Sequence, residues 1–158
     1  MSDDTPSDYA KWQHAENVLK GYRACVNPGD TGYDPPGSPG SAREESYRAG
    51  WKVACFDLAA QWLHKAGLHC RVRGEEDTTK LKIIGGTDYI PEVREGIGLF
   101  TGRTFVIHFN DEGNVMAQVS GLGQFGTDKI IERGAVWDFF KKEVDEAVDF
   151  VMETLGVM

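Results

Sequence analysis

The chain has 158 residues and a mass of 17.5 kDa, about the size of one domain, and we expect residues 1–158 to form a single domain. Its 41% hydrophobic and 27% charged residues are typical of a soluble globular protein and exclude a disordered chain, a collagen-like repeat and a small disulfide scaffold. The 17 Lys and Arg against 25 Asp and Glu give a formal net charge of −8, which disfavours direct binding to nucleic acids or anionic membranes.

The cysteine content and the N-terminal residues indicate in which cellular compartment the protein is expected. Cys25, Cys55 and Cys70 form an odd, sparse set that is typical of reduced thiols, and we expect Cys55 and Cys70 to be small core residues. The N-terminal residues are acidic and lack the apolar run of a secretory signal, and no stretch approaches the ~18 apolar residues of a membrane span. We therefore expect a soluble, cytoplasmic protein without membrane contact.

The N-terminal part of the chain predicts a helix followed by a long loop. The helix covers residues 7–26, with Ser7 as its cap. Residues 27–40 contain four Pro and four Gly, which exclude a helix or an inner strand. This segment is either a mobile linker or an ordered binding loop around Tyr33. The apolar residues at helical spacing are Tyr9, Trp12, Ala15, Leu19, Tyr22 and Val26, and we expect them to face the core.

A second helix is predicted over residues 41–66. Ser41 and Glu44 have the spacing of a capping box, and Gly67 follows as a typical helix stop. One apolar stripe is formed by Tyr47, Trp51, Ala54, Cys55, Leu58, Ala59, Trp62 and Leu63.

The period of the chain then changes from helical to alternating. Residues 69–73 and 80–84 predict one hairpin, and residues 104–109 and 115–120 predict a stronger one. Residues 85–102 are Gly-rich and contain Pro91, and we expect them to be irregular.

The last predicted element is an amphipathic helix over residues 135–155, ended by Gly156. The predicted fold is therefore α+β, with two N-terminal helices, a four-stranded antiparallel sheet built of hairpins, and this C-terminal helix on one core.

Gly121, Gly123 and Gly126 match the G-x-G-x-x-G pattern of dinucleotide-binding loops. That fold requires a further parallel strand and an acidic residue about 20 positions on, whereas here only 32 residues follow and most of them read as one helix. We interpret the motif as a flexible turn between a strand and a helix.

Metal binding and nucleophilic catalysis have no clear signature in this chain. The four histidines and three cysteines lack the spacing of known metal sites, so no metal or other cofactor is expected. His69 and Cys70 are neighbours on a strand and point to opposite faces, which excludes a dyad. No G-x-S-x-G elbow is present.

The first hairpin has a basic side that can hold an anion or a phosphate backbone. RNA-binding sheets add exposed aromatic residues for stacking, and none is predicted on this side. The alternative is a solvated face neutralised by Glu75, Glu76 and Asp77. The basic side comprises His69, Arg71, Arg73, Lys80 and Lys82.

The C-terminal helix leads to the main functional hypothesis. Like charges at i, i+4 and i+8, close to the negative end of the helix dipole, are locally unfavourable. They indicate either a solubility face or a docking face for a protein with a basic surface. On the second interpretation the protein is a non-enzymatic interaction module, an inhibitor or adaptor of a basic, nucleic-acid-handling partner. The residues of this candidate docking face are Asp138, Asp145, Glu146, Asp149 and Glu153.

The competing hypothesis is a small enzyme or ligand-binding domain, with a site between the Gly-rich segments 85–102 and 121–126 and the sheet. His108 would be its general base. The candidate residues are Tyr89, Arg103, His108, Gly121, Gly123 and Gly126. The oligomeric state cannot be read from the sequence.

Overall fold

Three helices and five strands make up the described part of the chain. The computed structural model describes residues 8–27, 34–38, 40–74, 80–91, 98–109, 114–126 and 137–157, without the side chains of 8–11 and 137–140. The helices are α1 (Asp8–Val26), α2 (Ala42–Lys65) and α3 (Trp137–Leu155). The strands are β1 (His69–Arg73), β2 (Lys82–Ile90), β3 (Leu99–Phe109), β4 (Val115–Val119) and β5 (Gly123–Gly126).

The chain groups into two compact units, Met1–Cys55 and Phe56–Met158, and the boundary lies within α2. The single domain expected over residues 1–158 stays a prediction. Within the described ranges, no helix has the length and apolarity needed to cross a membrane.

In the first unit, α1 and α2 approach each other at two glycines. A Cβ atom on Gly21 would clash with the carbonyl oxygen of Tyr47, and one on Gly50 would clash with that of Val18. Only hydrogen fits at these positions, so the two backbones lie in direct contact. The buried face of α1 follows this contact and comprises Asn17, Gly21 and Cys25, at i, i+4 and i+8.

The sequence-based prediction of the buried face of α1 is therefore wrong. Trp12, Leu19 and Val26 are 58%, 46% and 39% exposed, and Ala15 is exposed as well. Large side chains in the helix contact would hold the backbones apart, whereas Gly21 lets them meet. The side chain of Tyr9 lies outside the described residues.

The caps of α2 agree with the sequence. The Ser41 hydroxyl accepts a hydrogen bond from the Glu44 amide at 3.3 Å, and the Glu44 carboxylate accepts one from the Gly40 amide at 3.4 Å. In the second unit, Gly67 ends α2 with φ +90°, its amide bonded to the His64 carbonyl and that of Leu68 to the Leu63 carbonyl.

The segment 27–40 is described only in part. Within it, the amide of Asp34 donates to the Tyr47 hydroxyl at 3.2 Å. Tyr33 lies outside the described residues, and the choice between a mobile linker and a binding loop stays open.

The strands form one antiparallel sheet in the order β1-β2-β3-β4-β5. Both predicted hairpins are confirmed in outline, with Cys70 opposite Gly85 and Ile107 opposite Ala117. The sheet nevertheless has five strands rather than four, because residues 123–126 form β5 instead of a strand-to-helix turn.

The expected irregular segment 85–102 is also corrected, because most of its described residues belong to β2 and β3. Gly85 lies within β2, although glycine in the sequence argues against a strand, and packing explains why glycine is needed there. A Cβ atom there would meet the Phe105 ring, the Cys70 side chain and the His69 carbonyl.

One face of the sheet carries the core of the second unit. Helix α3 packs on β3, β4 and β5, and the Phe125 and Phe150 rings stack with centroids 5.7 Å apart. Phe56, in the part of α2 that belongs to this unit, stacks on Phe109 at 5.1 Å. Buried side chains on this face include Cys70, Ile83, Phe105, Ile107, Ala117, Val119, Val144, Ala147, Val148 and Val151.

A bulge between β2 and β3 positions the end of this hairpin. The register shifts between Gly86 and Asp88, and Gly102 has φ +75°, in the left-handed region. The Arg103 amide donates to the Thr87 hydroxyl at 3.2 Å. Beyond the bulge, Tyr89 lies directly opposite Phe100, which brings two aromatic rings to the same end of the sheet.

Candidate functional site

A small cleft in the second unit lies where β1, the far end of the β2–β3 hairpin and the end of α2 meet. Its volume is about 140 Å³. At roughly 10–15 Å³ per water position, this is room for a small polyatomic group rather than a drug-sized molecule. We call it the Arg71 cleft, and it is lined by His64, His69, Cys70, Arg71, Tyr89 and Phe100.

The guanidinium of Arg71 is held in one position in this cleft. Its Nη2 atom donates a hydrogen bond to the Tyr89 hydroxyl at 2.8 Å. Its Cζ atom lies 5.7 Å from the centroid of the Tyr89 ring and 5.6 Å from that of Phe100, within cation–π range. The two rings lie 5.3 Å apart. Within the described part of the chain, the other N–H groups of Arg71 have no hydrogen-bond acceptor.

Two histidines, His64 and His69, line the same cleft as Arg71. The exposed ring of His69 stacks on Tyr89, with centroids 5.9 Å apart and planes 24° apart. Nε2 of His64 lies 3.0 Å from the carbonyl oxygen of Cys70. Because a carbonyl can only accept, Nε2 is the donor, and this bond orients the ring.

Cys70 lines this cleft, and its thiol is buried and hydrogen-bonded. Its thiol donates to the Ala60 carbonyl at 3.5 Å, and burial raises the pKa of this thiol to about 11. The reactive thiolate is therefore a minor species at neutral pH.

The aromatic partners correct one sequence-based expectation. The basic side of the first hairpin was expected to carry no aromatic residues, yet Tyr89 and Phe100 contact Arg71. No Asp or Glu belongs to the described lining of the cleft. Lys82, opposite Arg73 on the same hairpin, adds positive charge nearby.

The acidic residues of α3 differ in exposure. Glu146 and Glu153 are exposed, Asp145 and Asp149 are half-buried, and the side chain of Asp138 lies outside the described residues. The last turn of α3 contains no basic residue. Within the described ranges, neither Asp149 nor Glu153 forms an ion pair.

Asp145 is electrostatically distinct from its neighbours. Burial raises the pKa of its carboxyl group above the ordinary value of 3.8. Asp149, one turn further along the helix, raises this pKa as well, while Lys141, one turn before, lowers it. Asp145 is therefore less accessible than a fully solvated carboxylate, and Asp149 repels its ionised form.

The alternative site from the sequence is divided by the structure. Tyr89 lines the Arg71 cleft, whereas Gly121 lines a second cavity of about 310 Å³ together with Thr104, Gln118 and Ser120. Arg103 and His108 line neither cavity. His108 is half-buried, with Nδ1 2.9 Å from the Phe109 carbonyl oxygen.

The other two glycines of the motif also lie away from these cavities. Gly123 and Gly126 begin and end β5, opposite Val119 and Met116. A strand at this position is not the tight turn that brings a backbone to a pyrophosphate.

Two cleft residues escaped sequence reasoning. Phe100 lies in the segment predicted to be irregular, and the sequence assigns His64 to no candidate site. The sequence did contain a signal for these strands. Residues that favour β-structure occur between the glycines, in the stretches from Thr87 to Ile90 and from Leu99 to Phe100.

Among the residues described, no three His, Cys, Asp or Glu side chains come together in a group that can hold a metal ion. Comparison with known protein families, with curated proteins and with solved structures gives no match to this chain. Function therefore rests on the geometry of the chain itself.

Proposed function

We propose that this protein is a ligand-binding domain that recognises a small oxyanion, the carboxylate or phosphate group of a small molecule, in the Arg71 cleft. The observation that carries the proposal is the fixed guanidinium of Arg71, which one hydrogen bond and two aromatic rings hold in place, while its other N–H groups face no acceptor among the residues that the structure describes.

The chemistry of this arrangement favours an oxyanion. A guanidinium presents parallel N–H donors that match a carboxylate or a phosphate in two hydrogen bonds. The side chain is already ordered by Tyr89 and Phe100, so binding loses less side-chain entropy. His69 and His64 add ring nitrogens at the rim, and the volume of about 140 Å³ suits such a group with a few neighbouring atoms.

The overall negative charge does not oppose this proposal at short range. At physiological ionic strength, charges beyond about 8 Å are largely screened. The basic residues Arg73 and Lys82 belong to the same hairpin as Arg71. The carboxylate of Asp88, next to Tyr89 on β2, does not line the cleft.

The test is a titration of the ¹⁵N-labelled full chain with phosphate and with acetate, followed by NMR. We expect the largest shifts at Arg71, His69 and Tyr89. Arg71→Ala lowers the affinity about 10- to 100-fold, as expected for loss of hydrogen bonds to a charged group. Arg71→Lys keeps the charge but loses the paired donors, and gives an intermediate loss.

Arg73→Ala is the matched control, because Arg73 is an exposed arginine on the same strand that does not line the cleft. If Arg73→Ala lost as much anion affinity as Arg71→Ala, the binding would depend on overall positive charge and not on a site at Arg71. Absence of shifts in the cleft with both anions would refute the proposal.

A second candidate function uses α3. We infer that its C-terminal half is a docking face for a protein with a basic surface, so that the chain acts as an interaction module, an inhibitor or adaptor. The observation that favours this function is the pair Asp149 and Glu153, one turn apart and without an ion pair within the described ranges, on a helix whose last turn has no basic residue. Such a face would speed association and orient a basic partner.

Its test compares Asp149→Asn/Glu153→Gln with the control variant Glu16→Gln/Glu45→Gln, which removes the same charge from the first unit. Both variants and the unmodified chain are used to capture proteins from the native host at rising salt. We expect only the α3 variant to lose its basic partner. Equal retention by both variants would eliminate the docking face.

A further inference from the structure

The first unit holds a pair of cysteines that the proposed function does not use. The Sγ atoms of Cys25 on α1 and Cys55 on α2 lie 3.3 Å apart, although the residues are 30 positions apart in the chain. Both side chains are buried, with 0% and 2% exposure, and neither is in a disulfide.

The glycine contact explains why these sulfurs meet. Cys25 follows Gly21 by one helical turn, and Cys55 follows Gly50 by about one turn. Because the backbones touch at Gly21 and Gly50, the side chains of the next turn lie on facing sides at short range. A disulfide has an S–S length of about 2.0 Å, so roughly 1.3 Å of approach through side-chain rotation is required.

We propose that Cys25 and Cys55 form a reversible disulfide, a redox modification site that locks α1 onto α2. The sequence indicates reduced thiols, and the reduced pair is the state seen in this structure. The disulfide is its oxidised counterpart, formed when the chain meets a small-molecule disulfide as oxidant.

The reaction proceeds by two exchanges. The thiolate of Cys25 attacks one sulfur of the oxidant, forms a mixed disulfide and releases one thiolate. The thiolate of Cys55 then attacks the sulfur of Cys25 and displaces the second thiolate. The protein loses two protons and two electrons, and the oxidant is reduced to two thiols.

Access to the pair comes from the end of α1. Cys25 is the penultimate residue of the helix, and Val26 beside it is partly exposed. Helix ends fray, so this turn opens more readily than the middle of the helix. Cys70 belongs to the second unit and bonds to Ala60, which leaves it outside the reaction.

The test incubates the folded full chain with oxidised glutathione, then unfolds it in denaturant, blocks the free thiols and analyses peptides by mass spectrometry without reduction. We expect a peptide linking Cys25 to Cys55, lighter by two hydrogen atoms, with Cys70 still alkylated. The oxidised chain melts about 10 °C higher than the reduced one, and added reductant reverses the change.

Cys70→Ser is the matched control, because it removes the third thiol and leaves the pair intact. The linked peptide forms equally in this variant. Stable glutathione adducts on Cys25 or Cys55, links to Cys70 or between chains, or a chain that stays reduced after full exposure to the oxidant would each overturn the proposal.

Discussion

The Tyr89 hydroxyl accepts a hydrogen bond from Nη2 of Arg71 at 2.8 Å. This bond joins β1 to the part of β2 that lies beyond the last paired residues of the two strands, His69 and Gly86. This bond and the two nearby rings convert a flexible surface arginine into an ordered one. The candidate site depends on that conversion, since a freely rotating guanidinium would lose more entropy on binding an anion.

Tyr89→Phe tests this relationship directly. The ring contacts stay, while the acceptor for Nη2 is lost, and we expect about 0.5–1.5 kcal/mol lower stability. Phosphate affinity falls by a smaller factor than in Arg71→Ala, because the cationic donor remains. Urea denaturation and NMR titration measure the two effects. Unchanged affinity in Tyr89→Phe would show that Tyr89 does not position Arg71.

Gly21→Ala and Gly50→Ala test the helix contact. In an exposed helix, replacing glycine with alanine stabilises the fold by about 1 kcal/mol. Here we expect the opposite sign, a loss of about 2 kcal/mol or more, because the added methyl group clashes with a backbone carbonyl. The control is Ala15→Gly, an exposed position on α1, which measures helix propensity alone. Thermal and urea unfolding give the values, and stabilisation by either glycine variant would contradict the close contact.

The pH dependence of stability tests Asp145. The pKa of its carboxyl is raised in the folded state by burial, so the folded chain holds this proton more tightly than the unfolded chain. The contribution of Asp145 to folding stability is therefore fully present below the ordinary pKa of 3.8, and it is lost as the pH rises through the raised pKa of the folded state. Asn cannot ionise, so Asp145→Asn removes this loss. The difference in the free energy of unfolding between the variant and the unmodified chain therefore shifts in favour of the variant as the pH rises from acid to neutral.

The neighbours of Asp145 give opposite and separable effects. Asp149→Asn lowers the pKa of Asp145, and Lys141→Gln raises it, since one charge opposes and the other favours ionisation. Carboxyl ¹³C NMR titration measures both shifts. Shifts of the same sign in the two variants would show that the helix charges do not act on Asp145.

Alkylation of Cys70 follows the raised pKa of its thiol. Since only the thiolate reacts, the rate with iodoacetamide rises about tenfold per pH unit and levels off near pH 11, the value to which burial raises the pKa. Folding stability from this group is present below the ordinary pKa of 9.0 and is lost as the pH rises towards 11. Peptide mass spectrometry follows the rate at Cys70, and levelling off near the ordinary pKa would contradict burial of the thiol.

Several features of the fold could be predicted because they depend on local chemistry. The alternation around Cys70 and around Ile107 placed both hairpins, and Gly67 and Gly156 marked the ends of two helices. Each of these signals acts within a few residues of the chain.

The errors in the prediction, at residues 85–102 and at the buried face of α1, arise from long-range contacts. Gly85 reads as a loop signal, but glycine is required there by the Phe105 ring from a neighbouring strand. Trp12 reads as a core residue, but α1 packs through Gly21 instead. In both places the deciding neighbour is distant in the sequence.

The sequence by itself determined the α+β class, the three helices, the two hairpins and the acidic character of α3, because helical and strand periods and capping residues are written locally. Only the tertiary structure decided which face of α1 is buried, that Tyr89 and Phe100 surround Arg71, and that Cys25 meets Cys55. These relationships join residues that are many positions apart, and their energies depend on backbone distances that hydrophobic pattern does not encode.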